Sequence, residues 1–276
     1  MKTTRSARPV QIGALVLIGS LAACAPGGAP TASPPPATVT SSAPAPPTPG
    51  ETPTIEAPIS PAPGPTVAPT DSPTIVIDSP AADARVTVPV AASGTANTFE
   101  AALTLQLLTD VGDTLCVRNL MASSGSGVTG TWQSNLAFVP PDGDLPATLR
   151  AYELSATDGS PINVVERRVT VTPERPPIII ATPVCGDVVA PGGVIAVTGR
   201  ALVFEAQFSL DLRDASGLAV LTQEVTADSG SEESNFTATL TVPADLPGGY
   251  YDLVGYDISA ADGSIQHEFP VQILVQ

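Results

Sequence analysis

Short apolar segments alternate with polar turn residues along the chain from residue 74 to its end. The segments are rich in Val, Ile, Thr and Leu, and Gly, Asp, Ser or Pro separates them roughly every 8 to 15 residues. No long segment has the 3.6-residue apolar period of an amphipathic helix, so the pattern predicts β-strands. The predicted strands span residues 74–77, 90–96, 101–109, 114–121, 130–138, 148–154, 164–171, 178–181, 194–200, 206–212, 219–225, 236–242, 251–258 and 268–275.

The same landmarks occur twice, about 104 residues apart, which predicts two domains of one fold. In each copy a Ser/Thr-Gly-x-Ala motif precedes Phe-Glu-Ala, and Tyr-x-x-Ser-Ala-x-Asp-Gly-Ser comes later. The Asp-Gly pair of the last motif favours a tight connection between the final two strands. The landmarks are Ser79-Pro80, 93–96, 99–101 and 152–160 in the first copy, and Thr182-Pro183, 198–201, 204–206 and 256–264 in the second.

Seven short strands in about 100 residues are typical of an immunoglobulin-like β-sandwich. We therefore predict an all-β protein with one sandwich over residues 74–172 and a second over residues 173–276. The link between the copies, residues 172–177, contains three prolines, which stiffen it. We expect the two sandwiches to sit end to end with limited bending.

Two cysteines, Cys116 and Cys185, fall in different copies. Neither copy therefore has the paired cysteines of antibody domains, and each core must be held by packing alone. We expect two buried free thiols that behave as small hydrophobic groups. The alternative is a disulfide that links the two copies, which an oxidising compartment would permit.

Residues 1–23 have the pattern of a cleavable secretory signal. Lys2, Arg5 and Arg8 precede an apolar run, and small residues follow the run. The run is too short to cross a ~30 Å hydrocarbon core comfortably, which takes about 20 apolar residues. The residues Leu21-Ala22-Ala23-Cys24 resemble the lipobox of bacterial lipoproteins. That resemblance implies lipid on Cys24 and an extracytoplasmic protein anchored to the cell membrane; the alternative is an ordinary signal peptide with an incidental cysteine.

Residues 24–73 are nearly all Pro, Ala, Thr, Ser and Gly after the first cysteine. Such a segment buries too little apolar surface to offset its ordering entropy, so we predict a disordered, Pro-rich tether. Fully extended at ~3.1 Å per residue, it would reach on the order of 150 Å. We interpret it as a stalk between the membrane and the folded part, with O-glycosylation of Thr and Ser as an open possibility.

The net charge of −16 at pH 7 limits the possible partners. Removal of residues 1–23 would take away the only lysine and two arginines, which makes the rest more negative still. Nucleic acid binding needs a basic surface, so we expect no nucleic acid partner. The charge also argues against adsorption to anionic headgroups. No other stretch reaches ~18 apolar residues, and we expect no further membrane span.

The repeated landmarks together resemble the immunoglobulin-like domain of bacterial spore germination proteins, a family that also occurs in cell-envelope lipoproteins. The resemblance covers about residues 74–172 and 177–275. The second copy departs slightly, with Thr182 and Thr198 where the first has Ser79 and Ser93. The resemblance implies a β-sandwich, an envelope setting and a binding or structural role. It supplies no catalytic residues.

Few residues of the sequence are candidates for catalysis or for metal and cofactor binding. The one histidine, His267, is interpreted as a surface or packing residue, and no Ser-His-Asp set, zinc cluster or phosphate loop can be assembled. We therefore predict no cofactor and no catalytic site. Carboxylates near predicted turns are interpreted as solvated turn residues, with a calcium site as the weaker alternative. They are Asp110, Asp113, Asp142, Asp144, Asp211, Asp214, Glu232 and Glu233.

Several repeated side chains allow either a structural or a binding interpretation. We expect the Phe-Glu pairs to have a buried Phe and a Glu that bonds nearby backbone amides; the alternative is a binding residue on an exposed loop. Matching tyrosines are expected in the core with bonded hydroxyls, and a matching Trp and Phe are expected to be buried. These residues are Glu100 and Glu205, Tyr152 and Tyr256, and Trp132 and Phe236.

These observations favour a non-enzymatic, lipid-anchored envelope protein whose tandem modules bind a partner or act as spacers. The expected partners are the membrane, through the lipid on Cys24, and an envelope protein or a glycan. One alternative is a carbohydrate- or peptidoglycan-binding module, which would need exposed aromatic platforms. Another is an accessory or inhibitor of a secreted enzyme, docking through its loops.

Overall fold

The computed structural model describes residues 74–276. The signal peptide, the tether and the lipidated Cys24 that the sequence predicts all lie outside the described residues. Residues 74–276 belong to one compact unit with a buried hydrophobic core, so this part of the chain is expected to fold by itself.

The described residues form strands and two short 3₁₀ turns, with no α-helix among them. The first copy contains β1 (Ile75–Ser79), β2 (Ala84–Val86), β3 (Val90–Ala96), β4 (Ala102–Thr109), β5 (Thr114–Met121), β6 (Gly130–Leu136), β7 (Leu145–Leu154) and β8 (Pro161–Val171). The second contains β9 (Ile178–Thr182), β10 (Val188–Val189), β11 (Val194–Ala201), β12 (Gln207–Arg213), β13 (Ala219–Thr226), β14 (Ser234–Thr241), β15 (Gly249–Ile258) and β16 (Ile265–Val275).

Each copy is a sandwich of a three-stranded and a five-stranded sheet. The first pairs sheet β1-β3-β6 with sheet β2-β8-β7-β4-β5, and the second pairs β9-β11-β14 with β10-β16-β15-β12-β13. Apolar side chains alternate along the strands and meet in the core, as Val90, Ala92 and Ala96 do on β3. The predicted all-β, tandem immunoglobulin-like fold is confirmed.

Every predicted strand overlaps an observed strand, but β2 and β10 were not predicted. These two strands are three and two residues long, too short for an alternating pattern to show. They pair parallel with β8 and β16 and so form one edge of each five-stranded sheet. The opposite edges are β5 in the first copy and β13 in the second.

The glycine of each Ser/Thr-Gly-x-Ala motif makes room for a large aromatic ring on the facing strand. Gly94 pairs with Trp132, and Gly199 pairs with Phe236. A Cβ on Gly94 would lie 1.9 Å from the Val76 carbonyl oxygen and 2.7 Å from the indole ring. A Cβ on Gly199 would meet a backbone carbonyl at 2.0 Å and the Phe236 ring at 2.7 Å. Both rings are buried, as expected.

The two sandwiches do not meet end to end as the sequence suggested. The edge strand β5 of the first sandwich lies against β15 and β16 of the second, where Arg118 and Asn119 hydrogen-bond to Asp252, Pro270 and Gln272. The side of the first sandwich therefore makes this contact.

Candidate functional site: the interdomain joint and the loop ends

The joint between the sandwiches is covalent. Cys116 on β5 and Cys185, just after β9, form a disulfide with their Cα atoms 5.1 Å apart. The expectation of two free thiols is therefore wrong, and the alternative of a bridge between copies is correct. Composition could not decide between them, because the pairing depends on β5 facing the second sandwich.

A largely buried ion pair lies beside the disulfide. Both oxygens of Asp252 on β15 accept hydrogen bonds at 2.8 Å from Nη2 of Arg118, whose side chain is only 8% exposed. Nη1 of the same guanidinium donates to the Pro270 carbonyl oxygen at 3.3 Å. A buried guanidinium without its carboxylate is strongly unfavourable, so this pair ties the position of β5 to the second sandwich.

A side-chain amide completes the joint by bonding to the open edge of β5. The Asn119 backbone N–H donates to Gln272 Oε1 at 2.6 Å, and Gln272 Nε2 donates to the Asn119 carbonyl oxygen at 2.9 Å. Edge strands expose such groups to unwanted pairing. In the first copy, Gln272 of the second sandwich satisfies the edge groups of Asn119. Cys116, Arg118 and Asn119 with Cys185, Asp252 and Gln272 are called the interdomain joint below.

The Phe-Glu-Ala motifs form the second candidate site, because their phenylalanines face solvent. Phe99 is 68% exposed and Phe204 is 75% exposed, so the expectation of buried rings is wrong. The expectation that Glu100 and Glu205 bond backbone amides is also wrong, because neither carboxylate bonds any residue between 74 and 276. Both glutamates instead adopt a positive φ, near 53° and 55°, inside a 3₁₀ turn.

Strand β7 and a neighbouring loop hold the exposed turn of the first copy in place. The Phe99 backbone N–H donates to Glu153 Oε2 at 3.1 Å, and the Glu100 N–H donates to Ser126 Oγ at 3.0 Å. The Ser126 N–H in turn donates to the Thr98 carbonyl oxygen at 2.9 Å. The ring is thus displayed on a fixed support rather than on a loose loop.

A matching pair of polar residues lies at a β-bulge between the last two strands of each copy. In the first copy Asn163 Nδ2 donates to Glu153, and in the second His267 Nδ1 lies 2.7 Å from Asp257 Oδ1. Asn163 and His267 both have a positive φ, near 52° and 58°. His267 is therefore a bulge residue bonded to a neighbouring carboxylate, close to the structural role expected for it.

Asp211 departs most from its predicted role among the turn carboxylates. It is only 4% exposed, and it accepts hydrogen bonds from Arg213 Nε at 3.0 Å and Thr222 Oγ1 at 2.7 Å. The Tyr256 hydroxyl also donates to it at 3.2 Å, and Glu268 binds the same arginine. Asp211 is a buried network residue, not a solvated turn residue.

The other predicted carboxylates lie apart on the surface. Asp144 binds Arg85 at 2.6 Å and 2.7 Å, and Glu233 binds two arginines, so these are paired rather than merely solvated. Ser216 bonds Asp214 and holds the pKa of that carboxyl below its usual value. Asp110 lies 3.8 Å from Arg168. The carboxylates of Asp113, Asp142 and Glu232 have no hydrogen-bond or ion-pair partner among residues 74–276. Between residues 74 and 276 no three His, Cys, Asp or Glu side chains converge as metal ligands.

The two motif tyrosines differ in their partners. Tyr152 is 8% exposed, and burial raises the pKa of its hydroxyl. Its hydroxyl bonds no other described residue, so only the burial expected for it is confirmed. Tyr256 is half-buried beneath Arg213, whose guanidinium carbon lies 5.0 Å from the ring centre, and its hydroxyl is bonded as expected.

Taken together, the two three-plus-five-stranded sandwiches and their shared landmarks define a tandem immunoglobulin-like module. The immunoglobulin-like domain of bacterial spore germination matches residues 74–160 and 177–264, and the chain belongs to this family. No helix of the described residues is long and apolar enough to cross a membrane.

Several solved structures match the chain at low sequence identity. The fibronectin(III)-like modules of Clostridium thermocellum CbhA are 12% identical, with 73% of this chain and 94% of that chain covered and a TM-score of 0.25. The ICAM-5 D1–D4 fragment is 16% identical, covering 73% and 53%, with a TM-score of 0.27. The Bacteroides ovatus mixed-linkage glucan protein SGBP-B is 15% identical, covering 71% and 43%, with a TM-score of 0.28. No curated protein shows significant similarity to the chain.

Proposed function

We propose that this is a non-enzymatic, lipid-anchored envelope protein whose two sandwiches are locked into one rigid unit outside the cytoplasm. The interdomain joint is the observation that supports the rigid unit. Domains in tandem usually move relative to each other unless their interface is large and apolar. Here a disulfide, a largely buried ion pair and a two-way amide contact act on one edge strand.

The disulfide also supports the proposed location. Structural disulfides form and persist in oxidising compartments and are rare in the cytosol. A Cys116–Cys185 bridge is therefore consistent with the export signal and with lipid on Cys24. In this account the tether sets the distance from the membrane, and the rigid pair of sandwiches sets the direction of the binding surfaces.

Structural partners explain the polar clusters that could suggest catalysis. Asp211 is enclosed by Arg213, Thr222 and Tyr256, and His267 is bonded to Asp257 at a bulge. Immunoglobulin-like modules act mainly as scaffolds and binding domains, and function on such folds depends on the site rather than the fold. The joint combines a disulfide, a largely buried ion pair and an amide contact, all of which hold the two sandwiches together.

Small-angle X-ray scattering of residues 74–276 tests the rigid unit. We expect one compact particle whose maximum dimension is unchanged by temperature below unfolding. A Cys116→Ser, Cys185→Ser, Arg118→Met variant should give a broader distribution of dimensions, while Arg85→Met, which breaks an exposed pair within the first copy, should not. Identical curves for the wild type and the triple variant would overturn the proposal.

Mass spectrometry of the protein from its native membrane tests the anchor separately. We expect an amino-terminal Cys24 bearing diacylglyceryl and acyl groups, and release of a Cys24→Ala variant from the membrane fraction. Two or more acyl chains are needed for stable attachment, because one chain alone binds only marginally. An unmodified Cys24 on membrane-bound protein would refute the anchor while leaving the rigid unit intact.

Glycan binding is a second candidate function, favoured by the exposed Phe99 and Phe204 rings. Sugar sites pair aromatic faces with polar groups, and Phe99 lies next to Glu100 and the Glu153–Asn163 pair. Peptidoglycan pull-down of residues 74–276 tests it. We expect peptidoglycan to retain the Phe99→Ala, Phe204→Ala double variant less than the wild type. Val111→Ala is the matched control, since Val111 is 85% exposed away from these turns. Retention unaffected by both Phe substitutions would exclude this site.

A further inference from the structure

Strand β14 forms an open edge of the second sandwich. It ends the three-stranded sheet β9-β11-β14, so only β11 pairs with it. The pairing with β11 runs over all of Ser234–Thr241 without a register shift. The strand contains no charged residue, no proline and no glycine. It therefore lacks the features with which natural proteins usually protect an edge strand from pairing with another chain.

The other sheet edges in residues 74–276 are protected in several ways. Strands β2 and β10 have only three and two residues. Register shifts interrupt β1, β5, β9 and β13, and the interdomain joint also occupies β5. The register of β6 is regular, but just beyond its end the carbonyl oxygen of Ala137 lies 3.1 Å from Sγ of Cys185 in the second sandwich. Strand β14 is the longest edge without any of these features.

Two hydrogen bonds show which backbone groups of β14 point away from β11. The Val242 N–H donates to the Gly193 carbonyl oxygen at 2.9 Å, which continues the ladder with β11. The Asn235 carbonyl oxygen accepts from the Asp228 N–H at 2.9 Å on the opposite side. Backbone groups alternate in direction along an antiparallel strand. The even-numbered residues of β14 therefore bond β11, and the odd-numbered residues direct their N–H and C=O groups outward.

Three residues of β14 present outward backbone groups without a partner: Thr237, Thr239 and Thr241. No backbone or side-chain group in residues 74–276 bonds them on this side, and all three residues are exposed. Their donors and acceptors have the spacing of a β-ladder. The chemistry of this edge therefore fits an extended polypeptide strand.

The sequence of β14 is complementary to itself in the antiparallel direction. With a two-fold axis at Thr239, Thr237 of one chain faces Thr241 of the other, and each Thr239 faces its counterpart. Thr–Thr pairs are favourable cross-strand neighbours. On the face that lines the core, the half-buried Ala238 faces the buried Leu240, so the apolar side of the sheet continues across the axis. This self-complementarity favours a second copy of the chain over an unrelated strand.

The same register ends where a ladder could no longer continue. The next position would pair Asn235 of one chain with Pro243 of the other. The Asn235 carbonyl oxygen already accepts a bond from Asp228, and proline has no N–H to donate. The contact is thus limited to the three threonine pairs, each of which exchanges two backbone hydrogen bonds.

We propose that the chain forms a two-fold symmetric dimer in which β14 of one molecule pairs antiparallel with β14 of a second copy. The two three-stranded sheets then join into one continuous sheet across the axis. Each chain has a net charge of −16, and an uncharged edge lets two such molecules meet without opposed charges along the ladder. This dimer goes beyond the rigid unit within one chain, and no side chain of the interdomain joint takes part in it.

Proline substitution at the axis tests the dimer. Sedimentation equilibrium of residues 74–276 should show a monomer–dimer equilibrium for the wild type. Thr239→Pro removes the central N–H of the contact and should weaken dimerisation at least tenfold. It leaves the ladder with β11 intact, because this N–H faces away from β11. Asn135→Pro is the matched control and should leave dimerisation unchanged, since Asn135 holds the equivalent exposed position on β6 of the first sandwich.

A second variant, Thr239→Lys, keeps every backbone group in place. It sets two ammonium groups directly opposite each other at the axis, so it should weaken dimerisation although it makes each chain less negative. Circular dichroism of every variant should match the wild type, which separates loss of contact from loss of fold. For the wild type, raising the salt from about 0.05 M to about 0.5 M should strengthen the dimer, because salt screens the repulsion between two acidic molecules.

Cysteine crosslinking tests the register. Thr239→Cys should form a disulfide-linked dimer on mild oxidation, because facing residues of a hydrogen-bonded pair have Cα atoms about 5.5 Å apart. Thr237→Cys should not link to itself, because its two copies lie four residues apart along the ladder, roughly 13 Å.

A wild-type chain that stays monomeric to millimolar concentration overturns the proposal, even if its β14 binds a strand of a different protein. So does dimerisation of Thr239→Lys or of folded Thr239→Pro at wild-type strength. An equal loss in Asn135→Pro, or crosslinking of Thr237→Cys in preference to Thr239→Cys, contradicts it as well.

Discussion

The two copies share one fold and differ at the edge strand that forms the joint in the first copy. On β5 the first copy presents Cys116, Arg118 and Asn119, and on β13 the second presents Leu221, Gln223 and Glu224 at the same register positions. The sandwich tolerates both sets, because these residues lie at the rim of the five-stranded sheet. The comparison shows that core positions specify the fold, while the side chains of Cys116 and Arg118 tie the edge of the first copy to its neighbour.

A second difference lies within the five-stranded sheets. Asp211 of the second copy anchors a buried network with Arg213 and Tyr256, whereas the equivalent Gln106 bonds only Thr114 at 2.9 Å, near the surface. Removal of one member of a buried ionic network is strongly destabilising, whereas replacement of the whole network by packed apolar groups often leaves stability unchanged. The second sandwich should therefore be the more sensitive of the two to single polar substitutions.

The largest expected loss of stability comes from substitution of the glycines that face Trp132 and Phe236, a feature that both copies share. Gly94→Ala should destabilise the first sandwich by about 4 kcal/mol or more, because the new Cβ would collide with a backbone carbonyl and the Trp132 ring. Gly199→Ala should do the same in the second sandwich. Urea unfolding followed by Trp132 fluorescence measures the first effect. Gly143→Ala, with no atom near its Cβ position, should be neutral, and an equal loss there would refute the steric explanation.

Removal of the disulfide should have the next largest effect. Cys116→Ser with Cys185→Ser opens a loop of 69 residues, which corresponds to about 4 kcal/mol of lost loop-closure entropy at most. Differential scanning calorimetry should show one transition for the wild type and two for the variant, since the copies then unfold separately. A single unshifted transition in the variant would mean that the bridge contributes nothing to the coupling.

Substitution of the buried carboxylate comes third. Asp211→Ala leaves Arg213, Thr222 and Tyr256 without their shared acceptor and should cost about 2–3 kcal/mol. The equivalent Gln106→Ala should cost less than about 1 kcal/mol, because its bond is exposed. Guanidinium unfolding of both variants gives the comparison. Equal losses would contradict the claimed difference between the copies.

The smallest expected effect is an acid dependence at Glu233. Bonds from Arg175 and Arg200 hold the pKa of this carboxyl below its ordinary 4.5. A lowered pKa in the folded state means that the stabilisation is present above pH 4.5 and is lost as the pH falls through the folded value. Both arginines are partly exposed, so the loss should stay below about 1 kcal/mol. Glu233→Gln should flatten the stability profile below pH 4.5, and a profile unchanged by this substitution would contradict it.

The repeat and the strands could be predicted because they depend on local patterns. Alternating apolar residues and the duplicated glycine and aromatic landmarks identify the sandwiches. They also identify Trp132 and Phe236 as equivalent buried positions of the two copies. The joint could not be predicted, because Cys116 and Cys185 meet only when β5 faces the second sandwich. The exposed Phe99 and Phe204 were missed for a related reason, since an aromatic before a strand usually indicates burial.

Nuclear magnetic resonance relaxation of the backbone amides in residues 74–276 tests the rigid joint most directly. We predict one rotational correlation time shared by β1–β8 and β9–β16, and two shorter, separate times in the Cys116→Ser, Cys185→Ser, Arg118→Met variant. Separate correlation times in the oxidised wild-type protein would contradict the claim that the two sandwiches form one body.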